Sequence, residues 1–254
     1  MTLIAMAVFD TEENKRTEYT ERTIDSVLST TSRKHPFVIV DNNSCDATKR
    51  LLHKHASIGH VQVITLPENV GTAKAVNKAW KLRTGHAIKM DNDVVIHQKG
   101  WVEEMEYAIE QDPNIGIIGL KRKDCWETPT HPSGFYKSEL KLLGGNGSKW
   151  SVVEKVNHVM GTCQMFNAKL LDKIGYLYQP RLYGFDDSLA AVRCQVAGFY
   201  SCFLHGIERD HIDTGETPYQ GWKEKHSGED MATYNDLKNA YLSGTKSIYS
   251  EADY

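Results

Sequence analysis

Residues 68–94 read ENVGTAKAVNKAWKLRTGHAIKMDNDV, and their order decides the fold. Asn69-Val70-Gly71 makes a turn, after which Ala73, Val76 and Trp80 recur at the spacing of one helical face. His86 to Met90 then forms a short, largely apolar run that stops at Asp91-Asn92-Asp93. A helix feeding a buried strand is one step of an alternating α/β chain. Here the strand delivers two carboxylates at its carboxyl end.

The same alternation extends upstream and downstream. Leu3 to Phe9 reads as a buried first strand, and Ile24, Val27, Leu28 and Thr31 mark a helical face after it. Phe37 to Val40 is a continuous apolar run, as in a parallel strand covered on both faces. Asp41-Asn42-Asn43-Ser44 turns into a helix bearing Leu51, Leu52 and His55, and Val61 to Leu66 is a third strand. Beyond the quoted stretch come a helix over Trp101 to Gln111 and a strand at Ile115 to Leu120. Strands separated by such helices predict right-handed βαβ units with ligands at the carboxyl ends of the strands. That rim collects Asp10, Asp41, Asp91 and Asp93.

Between Lys121 and His158 the pattern fades, with seven basic residues against four acidic ones, several aromatics and the cluster Gly144-Gly145-Asn146-Gly147. This segment is expected to be an irregular lid or binding loop. Regularity returns in a strand at Thr162 to Asn167, a helix near Ala168 to Ile174 and another near Asp187 to Ala197. The expected organisation is one domain over residues 1–215, with a nucleotide-binding half to about 120 and an acceptor half over about 121–215. A C-terminal tail, 216–254, is expected to be helical between Glu229 and Leu242.

Composition narrows the class. The 254 residues are 40% hydrophobic and carry a formal net charge of −3, which argues against a chain built to coat nucleic acid or an anionic membrane. Five cysteines without a C-x-x-C pair suggest neither a disulfide framework nor a thiolate zinc site. The apolar N-terminal run is too short to span a membrane and is followed by acids, unlike a signal peptide. The expectation is a cytoplasmic protein without membrane insertion; its oligomeric state stays open.

Four groups of residues carry candidate chemistry. Asp91 and Asp93, the chain's single D-x-D, can converge on a hard divalent cation such as Mg²⁺ or Mn²⁺ that bridges to diphosphate oxygens, although the same letters also make a turn. Asp41 can accept from a nucleobase or ribose, or merely close an Asx turn. Asp186-Asp187 opens a helix, where acids complement the macrodipole or serve as a general base. His211 can complete a carboxylate–imidazole metal site.

In this order the motifs resemble the family 2 glycosyltransferases. The carrying segments are RTEYTERTIDSVLSTTS (16–32), FVIVDNNSCDAT (37–48), residues 68–85 with the following DNDV, and YGFDDSLAAVRCQVAG (183–198). The resemblance implies a GT-A type, Rossmann-like αβα sandwich with a mostly parallel central sheet. It further implies metal-dependent, inverting transfer of a sugar from a nucleoside diphosphate sugar, with a UDP-sugar the expected donor, to an acceptor hydroxyl on a glycan, small molecule or modified nucleic acid. By that likeness Asp187 is the catalytic base. Asp93, His211 and Asp91 hold Mn²⁺ or Mg²⁺, while Asp10, Asp41, Asn69, Gly71, Lys74, Asp91 and Asp186 serve the donor. Two departures stand out: Val8-Phe9-Asp10-Thr11 replaces the usual Pro-x-Tyr-Asn, and Asp186 replaces the Glu of the Glu-Asp pair. The rival readings are a DNA-modifying glycosyltransferase acting on hydroxymethylated bases, a sugar nucleotidyltransferase, and a nucleotide-sugar-binding module without turnover.

Overall fold

The computed structural model describes residues 1–123, 139–144, 149–213, 221 and 231–254. The chain begins β1 (Leu3–Val8), α1 (Thr17–Thr30), β2 (Phe37–Asp41), α2 (Asp46–Ser57), β3 (Gln62–Thr65), α3 (Thr72–Trp80) and β4 (Ala87–Met90). After a short β5 (Val94–Ile96) come α4 (Trp101–Gln111), β6 (Ile115–Arg122), β7 (Glu139–Gly144), β8 (Trp150–Val156) and β9 (Cys163–Phe166). The described elements end with α5 (Ala168–Ile174), α6 (Asp186–Val196), β10 (Tyr200–His211) and α7 (Met231–Leu242).

One mixed sheet runs in the order β3-β2-β1-β4-β9-β6-β10-β8-β7. β3, β2, β1 and β4 are parallel neighbours, and β6 and β10 run parallel beyond them, with β9 reversed between β4 and β6. The strand-then-helix alternation produces this because each crossover must return a strand in the same direction. Successive residues of a strand face opposite ways. Accordingly Ile4, Met6 and Val8 pack with α1 and α4 residues such as Ile24 and Met105, whereas Leu3 and Ala5 pack with Val76, Trp80 and Leu170 of α3 and α5. Two buried layers therefore sandwich the sheet. Trp80 closes one of them, its indole N–H donating to the Ile88 carbonyl at 3.3 Å and its ring meeting Phe166 edge-on.

Several strands depart from the sequence expectations. Glu139–Gly144 and Trp150–Val156, read as part of an irregular lid, form an antiparallel pair at the edge of the sheet. Their alternation is hidden because Leu140, Leu142 and Trp150 stay exposed. The remainder of that segment, residues 124–138 and 145–148, lies outside the described residues. β10 has no counterpart among the strands expected from the sequence, and it ends in the charged run Glu208-Arg209-Asp210-His211. It bends between Leu204 and Glu208, with Gly206 at φ +84°, and its end pairs with β5 so that His211 lies opposite Val94.

The C-terminal residues are packed into the body. Tyr241 of α7 is 1% exposed and contacts Leu189 and Val192 of α6. Ser250 exchanges backbone hydrogen bonds with Ile174 and Tyr176, and the fully buried Arg193 donates to the Ile248 carbonyl at 2.7 Å. Among the described residues no helix is long and apolar enough to cross a membrane.

Candidate active site

A cleft of about 250 Å³ opens where β1, β4 and β10 end and α6 begins. Asp91, Asp93 and His211 line it, and so do Asp186 and Asp187, with the Lys89 ammonium between Asp91 and Asp186. Asn42, Thr72 and Tyr183 also line it. Strand ends bring the first group together, while α6 presents the second pair from its first turn.

Asp93 is 4% exposed and accepts from Arg16, whose Nη2 lies 2.6 Å away. Arg16 is itself buried and reaches Asp213 at 2.5 Å through Nη1. The His211 Nε2 stands 3.4 Å from the same Asp93 oxygen. Burial, with the charges of Arg122 and Arg209, pushes the His211 imidazole below its ordinary value despite Asp93, so it favours the neutral, ligating form. Its Nδ1 is buried without a hydrogen-bond partner among the described residues.

Asp91 faces a different cation. Its Oδ1 lies 3.1 Å from the Lys89 Nζ, and the same nitrogen lies 3.1 Å from Asp186 Oδ2. Burial alone would drive the Lys89 ammonium toward neutrality, but Asp186, Asp91 and Asp187 together raise its pKa and keep it charged. Asp91 thus lies against Lys89, while Asp93 lies against Arg16 and His211. Among the described residues no group of three or more His, Cys, Asp or Glu side chains meets at one cation position. Asp91 is drawn to the nearest buried charge instead.

Asp187 is held at both oxygens. Oδ2 accepts the Gly161 N–H at 2.8 Å and lies 3.2 Å from His158 Nε2, while Oδ1 accepts from the Ser188 N–H at 2.6 Å. Burial would raise its carboxyl, yet His158, Lys89 and the Gly161 N–H outweigh that and hold it well below the usual range. Asp186 moves the other way, pushed up by burial and by its neighbours Asp187 and Asp91 against the pull of Lys89.

Other expected donor-binding residues stand back from the cleft. Asp10 is fully buried and accepts from Thr20 at 2.6 Å, Asn92 at 2.8 Å and Thr48 at 3.1 Å; burial raises its carboxyl despite these donors. Through Asn92 it braces the 91–93 turn. Asp41 is 1% exposed, and its Oδ1 takes the Ser44 N–H at 2.7 Å, an Asx turn. Its neighbour Asn42 lines the cleft and is held by Asn69, which accepts from the Asn42 amide at 2.8 Å. Gly71 (φ +87°) brings α3 against the Leu182 backbone, and Lys74 lies over the Tyr254 ring at 5.0 Å. Arg16, Lys89 and His158 were not singled out in the sequence. Lys89 left one trace there, a charge inside an apolar run.

The family model for "Glycosyl transferase family 2" matches residues 13–175. TuaG of Bacillus subtilis (strain 168), a glycosyltransferase assigned to teichuronic acid biosynthesis, is 30% identical over 104 residues, covering 40% of this chain and 41% of that protein. The fold is similar to that of a mannosyltransferase from Pyrobaculum calidifontis in complex with GDP-Man and Mn²⁺, with a TM-score of 0.59 and 17% identity over 87% of this chain and 59% of that one. It is likewise similar to S. aureus TarS (residues 1–349) in complex with UDP, with a TM-score of 0.60 and 15% identity over 95% of this chain and 71% of that one. GalNAc-T7 with UDP, GalNAc and Mn²⁺ gives 0.61 at 15% identity, over 84% and 44%.

Proposed function

This chain belongs to glycosyl transferase family 2, and from that premise we propose that it moves a sugar from a nucleoside diphosphate sugar, a UDP-sugar in the first instance, to an acceptor hydroxyl with inversion. The observation that carries this reading is the shared cleft, which Asp91, Asp93, His211 and Asp187 line together. The ligands named in the similar structures, UDP in two and GDP-Man in a third, support a nucleoside diphosphate donor.

Asp187 is the proposed base. The acceptor oxygen forms its bond to the anomeric carbon as the bond to the diphosphate breaks, and the electron pair leaves with the diphosphate. The hydroxyl proton passes to the Asp187 carboxylate, which its partners keep ionised. A single displacement from the face opposite the leaving group inverts the centre. Lys89 pairs with both Asp91 and Asp186, and Asn42 and Thr72 also line the cleft.

The residues also fit a divalent cation. Mg²⁺ and Mn²⁺ are commonly held by one or two protein ligands, with substrate phosphates and water completing the shell. Asp93 and the neutral His211, adjacent and with the imidazole Nδ1 unpartnered among the described residues, would hold it. Once bound, the cation would offset charge developing on the leaving diphosphate.

Asp187→Asn tests the assignment. Release of UDP from a panel of UDP-sugars should fall by about 10²–10⁴-fold, while calorimetric binding of UDP in Mn²⁺ persists. Wild-type turnover by that variant would reject Asp187 as the base.

A further inference from the structure

His158 is one of the partners that keep Asp187 ionised, and its placement suits a further role. It follows β8 by two positions, and its Nε2 lies 3.2 Å from Asp187 Oδ2. It does not line the cleft, so it approaches the carboxylate from behind. Gly161, three residues on, donates its N–H to the same oxygen at 2.8 Å. On the other oxygen, the Ser188 N–H and hydroxyl donate at 2.6 and 3.2 Å. Two segments, residues 158–161 and the first turn of α6, thus grip opposite ends of one carboxylate.

The fit is close on the 158–161 side. A Cβ at Gly161 would stand 3.1 Å from Asp187 Oδ2 and 2.8 Å from Lys89 Nζ. The charged and titratable groups around Asp187 are His158, Lys89 from β4, Asp186 from its own helix and Tyr234 from α7. Among the described residues, Asp187, Asp186 and Lys89 act on His158. The ring is 17% exposed; burial opposes its charge, but Asp187 and Asp186 prevail and raise its pKa.

We propose that His158 is a positioning residue for the transfer, fixing the plane of the Asp187 carboxylate from the side away from the substrate. The proposal rests on Asp187 being the base. A base fixed in orientation needs no rearrangement as the proton moves, whereas a carboxylate held at Oδ2 by one backbone N–H can turn away from the acceptor. The imidazolium also keeps the carboxylate ionised at acid pH. Its contribution therefore has two separable parts, a close polar contact with Oδ2 and a charge.

The experiment uses the full chain and UDP release from UDP-sugars in Mn²⁺, with water as acceptor, for wild type, His158→Ala, His158→Gln and Asp187→Asn. His158→Ala should lower kcat about tenfold with the donor KM within about twofold. His158→Gln, whose amide can still donate to Oδ2, should recover most of kcat. Because both variants lack the charge, the acid limb of kcat/KM should move to higher pH in each. If Asp187→Asn is inactive and both His158 variants keep the wild-type kcat and acid limb, the His158 role is overturned and the base survives. If Asp187→Asn turns over normally, both fall. NMR titration of the histidine rings gives a readout independent of turnover: the His158 pKa should drop in Asp187→Asn, and an unchanged value overturns the proposal. Should His158→Ala fail to fold, the Gln variant and the titration decide.

Discussion

Lys89 shares a four-residue strand with Ala87, Ile88 and Met90, all buried. A lysine is tolerated there only because Asp91 and Asp186 lie at hydrogen-bonding distance on either side of its ammonium group. Replacing it by Met would leave these carboxylates without their common counterion. Lys89→Met should lose about 3–5 kcal/mol of unfolding free energy in urea, and Lys89→Met/Asp186→Asn should recover part of it. A single variant as stable as wild type would contradict this account. Asp93 makes a different prediction: UDP with Mn²⁺ should raise the melting midpoint of wild type more than UDP alone, and Asp93→Ala should abolish the difference. The Asp91-Asn92-Asp93 and Asp186-Asp187 pairs were visible in the sequence because acids at strand ends and helix starts form a pattern. Arg16, Lys89 and His158 were not, since each is a single charge whose meaning comes from residues far along the chain.

At the scale of elements, the entries to α3 and α6 shape the cleft. Gly184 (φ +91°) and Phe185 (φ +62°) both adopt left-handed conformations, which turns the chain so that the first residues of α6 face inward. Gly71 permits the close approach of α3 to the same loop: a Cβ there would stand 2.8 Å from the Leu182 carbonyl oxygen. Gly71→Ala should cost about 1–3 kcal/mol and weaken UDP binding by calorimetry, because Thr72 and Tyr183 on the two sides of that contact line the cleft. Unchanged stability would show that the loop yields freely. The parallel strands β1 to β4 were legible from their apolar runs. The edge pair β7–β8 and the long β10 were not, for opposite reasons: β7 leaves apolar residues in solvent, and β10 ends in charged residues that pair with β5.

Across the whole molecule, the C-terminal segment closes the side of the sandwich behind α6. Arg193 is buried and its pKa is lowered to about 10 by that burial; its side-chain donors end on the carbonyls of Ile174, Tyr176 and Ile248. A chain cut after Gly244 would lose the Ile248 acceptor and the Ser250 backbone pairing with Ile174 and Tyr176 at the end of α5. It should unfold at clearly lower urea, with a loss of about 3 kcal/mol or more, and an unaltered midpoint would refute this. Helix α7 itself was expected from the sequence, but its packing was not, because a polar helix gives little sign of the face it buries.

The ammonium of Lys89 belongs to one segment of the chain and serves acids on two. Any recombination that grafts a relative's α6 onto this scaffold, or the reverse, would separate those acids from the cation that balances them. Crossover points for shuffled hybrids should therefore fall outside residues 87–196, so that β4 and α6 travel as one block.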